Sequence, residues 1–306
     1  MKLTILGSGT SHGVPVIGCT CAVCKSKDKK DNRLRCSALL TVNKKNYLID
    51  VGPDFRTQAL RLGLNSLESV FLTHTHADHL HGIDDLRIFS HKNSVAMQAE
   101  EPDAIKYPET TGEGLAIYMS GKSAERVKSC FPYIFSQQQK GGGIPKLNII
   151  TCDQNDFHNP IEKDSFTVVP IPLVHGYVNS FGWLFTSKDS VGKKHSIAYL
   201  TDCNFISESS LQIVKDSCAG GVLEHLVIDA LRAKPHSSHN NFEQALFYAN
   251  IIGAKNTWFT HLTHDFLHIE ICKYIDEHLS KYEKLQSIVQ DGGSVKPSYD
   301  GLILSC

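Results

Sequence analysis

The sequence predicts an α/β fold in which two β-sheets are sandwiched between helices, and three features of its pattern carry that expectation. The N-terminal part is rich in adjacent strand-like runs, strand and helix patterns alternate beyond residue 166, and no Pro- or Ser-rich linker divides the 306 residues into independent units. With 41% hydrophobic and 21% charged residues, the chain has ordinary globular content and enough apolar material to bury a sizeable core.

Residues 2–6 read as a buried strand ending in Gly7-Ser8-Gly9, and 36–42 with 47–50 as a strand pair. Residues 54–62 carry Phe55, Ala59 and Leu62 at helical spacing up to a stop at Gly63, and 70–72 form a short strand that delivers the chain into Thr73-His74. A helix is expected to begin near Asp84. The mixed stretch from about 91 to 146, with Gln137-Gln138-Gln139 and Gly141-Gly142-Gly143, reads as an inserted lobe with a mobile loop. Strand patterns return at 166–174, 180–186, 196–201, 225–230 and 257–260, with helices at 208–215, 242–252 and 268–279. The expectation is a single domain over 1–306 with one insertion.

Lys and Arg total 31 against 32 Asp and Glu, so the net charge of -1 gives no whole-chain field that would favour nucleic acid or an anionic membrane. No apolar run approaches the roughly 20 residues needed to cross a bilayer, and the N-terminus lacks a basic stretch followed by an apolar one. These features predict a cytoplasmic protein. Of the ten cysteines, three crowd together and the others scatter, which fits metal binding and reduced thiols better than a disulfide framework.

His74-Thr75-His76-Ala77-Asp78-His79 sets four candidate ligands within one short run, directly after an apolar strand. At helical spacing His74 and His76 would point apart, but an irregular strand-to-helix loop can turn successive side chains toward one or two cations. Imidazole together with carboxylate suits zinc, manganese or iron.

This run resembles the signature of the metallo-β-lactamase superfamily, and the likeness extends along nearly the whole chain in order. It implies an αββα sandwich, two mixed β-sheets flanked by helices, and it supplies the remaining ligands. His175 in Leu173-Val174-His175-Gly176, Asp202 in Tyr199-Leu200-Thr201-Asp202 and His261 in Phe259-Thr260-His261 each end an expected strand. By that likeness one metal takes His74, His76 and His175, the other takes Asp78, His79 and His261, and Asp202 bridges them. Asp78 counts also as a catalytic group, and Asp50 matches a supporting carboxylate that orients bound imidazoles. Two neighbouring cations can activate a water near neutral pH and neutralise charge on a substrate oxygen, which is hydrolysis without a covalent intermediate. No Gly-x-Ser-x-Gly elbow competes with that chemistry.

In the loop near 12–36, Cys19, Cys21 and Cys24 offer three thiolates, and one further N or S ligand would close a tetrahedral zinc site. His264 is the candidate, three residues beyond His261. This loop, with Gly7-Ser8-Gly9-Thr10 and Gly13-Val14-Pro15 before it, resembles the PhnP branch of the superfamily. The likeness implies a cyclic-phosphate or nucleotide-like phosphodiesterase with two divalent ions (Mn2+ or Zn2+) at the active site, one structural Zn2+, a small phosphodiester as substrate, and a homodimer. His239 in His239-Asn240-Asn241 matches that branch's substrate-side histidine, which would bind phosphate and protonate the leaving oxygen. Three other functions compete: a ribonuclease Z-like endonuclease, disfavoured by the balanced charge; a glyoxalase-like thioester or lactone hydrolase, which lacks the cysteine loop; and a non-enzymatic metal-binding protein, disfavoured by the complete ligand set.

Overall fold

Strands buried on both faces need apolar residues at successive positions rather than alternate ones, and the N-terminal strands meet that demand. In the computed structural model, which describes residues 1–90, 114–135 and 143–306, β1 (Lys2–Gly7), β2 (Ser37–Val42) and β3 (Lys45–Ile49) are buried along most of their length. They pair antiparallel with one another, and β1 also pairs with β14 (Ile303–Ser305). From β3 the sheet continues in parallel through β4 (Ser69–Phe71), β5 (Leu115–Ser120) and β6 (Leu147–Cys152). The first sheet therefore has seven strands in the order β14-β1-β2-β3-β4-β5-β6.

The second sheet repeats that plan. Its strands β7 (Ile161–Lys163), β8 (Phe166–His175), β9 (Val178–Lys188) and β10 (Lys194–Leu200) are antiparallel, and β10, β11 (Gly221–Asp229), β12 (Asn256–Thr260) and β13 (Ser294–Pro297) are parallel. Successive side chains leave a strand on opposite faces, and the core sorts accordingly. Tyr47, Ile49 and Phe71 meet Trp183, Phe185 and Tyr199 between the sheets. Leu48, Val70 and Leu72 face outward onto Phe55 of α1 (Phe55–Leu62). On the far side Ile171, Leu226 and Ile228 are covered by α6 (Glu208–Ser217), α7 (Phe242–Ile252) and α8 (His268–His278). This is the αββα sandwich of two mixed sheets that the sequence predicts.

The segment 91–146, expected as an inserted lobe, is described only at 114–135 and 143–146. Residues 91–113 and 136–142, including the glutamine run and most of the glycine run, lie outside the described residues. The described part is sheet and cover: β5 buries Leu115, Ile117 and Met119 between β4 and β6, and α4 (Gly121–Cys130) adds Ala124 and Val127 to the outer core. Apolar residues at alternate positions of β5 draw it into the sheet. Among the described residues no helix is long and apolar enough to cross a membrane.

Candidate metal centre

The candidate ligands sit where strands end. Asp50 follows β3, His74 lies just past β4, Asp78 and His79 open the short helix α2 (Ala77–Leu80), His175 closes β8, Asp202 follows β10, and His261 follows β12. Asp50, Asp202 and His261 hold left-handed backbones, with φ of 60°, 55° and 61°. Such conformations cost a non-glycine residue about 1 kcal/mol or more and gather at functional sites, where surrounding structure enforces them.

All seven predicted ligands converge, and they do so as two sets that share Asp202. In the first, His76 Nδ1 lies 2.8 Å from His74 Nε2 and 3.2 Å from His175 Nε2, and both of those Nε2 atoms lie 3.7 Å from Asp202 Oδ2. In the second, His79 Nε2 is 3.2 Å from Asp78 Oδ2 and 3.2 Å from Asp202 Oδ1, while His261 Nε2 is 3.6 Å and 3.5 Å from the same two oxygens. Ligands ~2.1 Å from a common ion stand roughly 3.0–3.6 Å apart, so both sets are near the spacing that one cation each would impose. Asp202 turns one oxygen to each set, the arrangement expected of a bridge.

Hydrogen bonds on the far side of the His175, His79 and His74 rings orient them. His175 Nδ1 lies 2.6 Å from the Ser238 carbonyl, which can only accept, so Nδ1 carries the proton and the Nε2 lone pair faces inward. Asp50 Oδ2 accepts from His79 Nδ1 at 2.7 Å and so orients that ring, and Asp50 is itself fixed by the Thr73 backbone N–H and hydroxyl. The Thr73 hydroxyl also lies 3.0 Å from His74 Nδ1.

The donor set fits cations. His79 Nε2 and both ring nitrogens of His261 are buried without a hydrogen-bond partner, although buried polar atoms are almost always paired. Burial pushes the Asp78 carboxyl up, but the charge of His79 and the close approach of the His261 and His79 rings outweigh it and hold Asp78 well below the usual carboxylate range. Burial pushes His79 down, and the charges of Asp202, Asp78 and Asp50 overcome it, so its pKa lies well above the ordinary imidazole value. Three buried carboxylates in one pocket thus draw positive charge into it.

The cysteine loop forms a second convergence. The sulfurs of Cys19, Cys21 and Cys24 lie 3.3, 3.5 and 3.4 Å from His264 Nδ1. Zn–S bonds of ~2.3 Å and a Zn–N bond of ~2.0 Å at tetrahedral angles set S···N at roughly 3.5 Å, so these four residues fit a closed zinc site. The glycines of Gly7-Ser8-Gly9 are required by packing: a Cβ on Gly7 would meet the Arg35 carbonyl oxygen at 1.9 Å, and one on Gly9 would meet that of Arg33 at 2.8 Å.

His239 stands against both sets, its ring centroid 4.5 Å from that of His175 and 4.6 Å from that of His261. Its Nδ1 lies 2.7 Å from Asp229 Oδ2. Burial pushes the imidazole down, but the charge and hydrogen bond of Asp229 lift it to about 9. A capping box of Asn241 and Gln244 opens α7 directly after it and fixes the chain there. Sequence reasoning missed Asp229, Thr73 and the Ser238 carbonyl. Asp229 ends an expected strand as Asp202 nearly does, and that parallel was its available signal.

Two sets of His and Asp, buried except for His76, at the strand ends of an αββα sandwich define a metal-dependent hydrolase. A model described as the β-lactamase superfamily domain matches residues 45–262, and the chain belongs to that superfamily. A crystal structure of a diphosphatase from the PhnP family is 32% identical, with a TM-score of 0.73 over 100% of this chain and 97% of that one, which places the chain on the PhnP-like branch. The short form of human tRNase Z shares the fold at 17% identity and a TM-score of 0.60, with 100% of this chain and 99% of that one covered. An octanoyltransferase of Porphyromonas gingivalis is 33% identical over 297 residues, 96% of this chain and 52% of that protein. A ribonuclease Z of Listeria innocua is 28% identical over 197 residues, 63% of this chain and 51% of that protein. The chain spans about half the length of these two curated relatives.

Proposed function

We propose that the chain is a phosphodiesterase that cleaves a small phosphodiester, a cyclic phosphate or a nucleotide-like diester, at the paired His and Asp sets. The observation that carries this reading is His239, an imidazole held by Asp229 against both sets. His74, His76 and His175 would hold one divalent ion and Asp78, His79 and His261 the other, with Asp202 between them and Asp50 orienting His79. Those ions, Mn2+ or Zn2+, would supply an activated water and neutralise charge at the phosphoryl oxygens.

The rest falls to His239. Its Nδ1–H is engaged by Asp229, so Nε2–H is the proton left to give. That proton would first hold a phosphoryl oxygen and then pass to the leaving alkoxide, which departs poorly without it. The likeness to the PhnP-family diphosphatase supports phosphorus chemistry, and the ribonuclease Z relatives support a diester. The test is a panel on manganese-loaded protein: a 2′,3′-cyclic nucleotide, a diphosphate ester, precursor tRNA and an octanoyl thioester. Cyclic or small diesters should be turned over fastest. Preference for precursor tRNA would favour an endonuclease, and preference for the thioester would overturn phosphorus chemistry.

A further inference from the structure

Arg33 belongs to neither ligand set, yet its side chain is 0% exposed. Its backbone is pinned to the cysteine-bearing loop by paired hydrogen bonds with Val14, each 2.8 Å. Inside, Nε donates to the Lys30 carbonyl at 3.3 Å, Nη1 donates to the Thr263 carbonyl, and Nη2 donates to the Phe266 carbonyl at 3.1 Å and to Asp31 Oδ1 at 3.2 Å. Asp31 Oδ1 also accepts the N–H of His268, the first residue of α8, at 2.6 Å. Taking a guanidinium out of water costs several kcal/mol unless its donors are met, and here two of its four hydrogen bonds go to carbonyls of one segment, Thr263 and Phe266.

That segment is the one on which both convergences depend. It leaves His261 in its left-handed conformation, passes Leu262, whose N–H donates to the Ser8 carbonyl and whose own carbonyl accepts from Thr10, and delivers His264 to the thiols. His261 and His264 are three residues apart and must reach different sites. The Arg33 fork grips Thr263 between them and Phe266 beyond them.

We infer that Arg33 is a positioning residue: by clamping the Thr263 and Phe266 carbonyls it holds His261 toward Asp78 and Asp202. The inference rests on reading the two His and Asp sets as metal sites. Its effect is selective, because His74, His76 and His175 stand on other elements. Loosening the segment lets the His261 backbone relax and carries Nε2 away from the oxygens now 3.6 and 3.5 Å from it.

The test is a competitive chelator titration with Mn2+ on folded wild type and Arg33→Lys, which keeps the charge but loses the planar fork. His261→Ala identifies which of the two dissociation constants belongs to the second set. Arg33→Lys should weaken that constant about 10–100-fold, the usual effect of losing an outer support, and change the other less than about threefold. Two unchanged constants, or two that weaken alike, would overturn the inference. If Arg33→Lys does not fold, Asp31→Asn removes the carboxylate partner and leaves the guanidinium, with the same two outcomes. Wild type that takes up no divalent ion at the His and Asp sets removes the metal reading and this inference together. Wild type that takes up two, beside a variant that does so equally well, removes this inference alone.

Discussion

Asp229 Oδ2 accepts two hydrogen bonds, one from His239 Nδ1 at 2.7 Å and one from the Cys203 backbone N–H at 2.9 Å. Cys203 adjoins Asp202, so the carboxylate that orients His239 is tied to the backbone beside the bridging candidate. His239→Ala should therefore lower turnover of an alkyl cyclic phosphate by ~10²–10⁴-fold without emptying the metal sites. The loss on bis(p-nitrophenyl) phosphate should be smaller, because that phenolate leaves without a proton. Equal losses on both substrates would point to phosphate binding rather than proton donation.

Asp229→Asn should reproduce part of that loss, and the double variant should be no slower than His239→Ala by more than about threefold, since residues acting as one unit are not additive. Steady-state kinetics on the four proteins checks this. Additive losses would mean that Asp229 acts on something other than His239.

Cys21→Ser should release zinc and lower the melting temperature. The Cys24 backbone N–H, with further help from Cys19 and His264, brings the Cys21 thiol down to about 6, so this sulfur is ready to bind as thiolate. Zinc analysis beside a thermal melt measures both effects. Unchanged zinc content and stability would remove the structural role, because losing a ligand should loosen both.

Gly52→Ala tests how the Asp78 backbone is placed. A Cβ at Gly52 would stand 1.9 Å from the Asp78 carbonyl oxygen, and overpacking of that kind typically costs ~1–3 kcal/mol. The variant should melt lower and bind the second ion more weakly. A protein with wild-type stability and metal affinity would show that the α2 backbone gives way freely.

His268 predicts a pH window. Burial, helped by the charges of Lys30 and Arg33, takes its pKa down to about 4, below the ordinary value of 6.5. The folded protein then keeps it neutral where the unfolded chain protonates it. Its contribution is complete above pH 6.5 and disappears as pH falls toward 4. His268→Phe should lose about 1–2 kcal/mol less than wild type across that interval, measured by urea melts at several pH values. Parallel losses in both proteins would contradict the assignment.

The contiguous run from His74 to His79 is legible in its own residues, whereas His175, Asp202 and His261 are supplied by the resemblance to the superfamily, and the fold brings all these candidates together. Supports are harder to see. Asp229 is one more aspartate at a strand end, and no local pattern marks Arg33, which the fold buries completely. The strands β8 to β12 show in β-branched and aromatic runs. By contrast β6 is only half-buried, and β13 and β14 are short and carry Lys, Pro or Ser. Their place is set by pairing with distant strands rather than by local pattern.

The most direct measurement is metal content against activity. Elemental analysis of protein titrated with Mn2+ should find one zinc, expected at Cys19, Cys21, Cys24 and His264, and two further divalent ions per chain, with hydrolysis of bis(p-nitrophenyl) phosphate rising as the second of these is taken up. Full activity with a single ion beyond the cysteine site, or a fully loaded protein that hydrolyses no phosphodiester, would contradict the account.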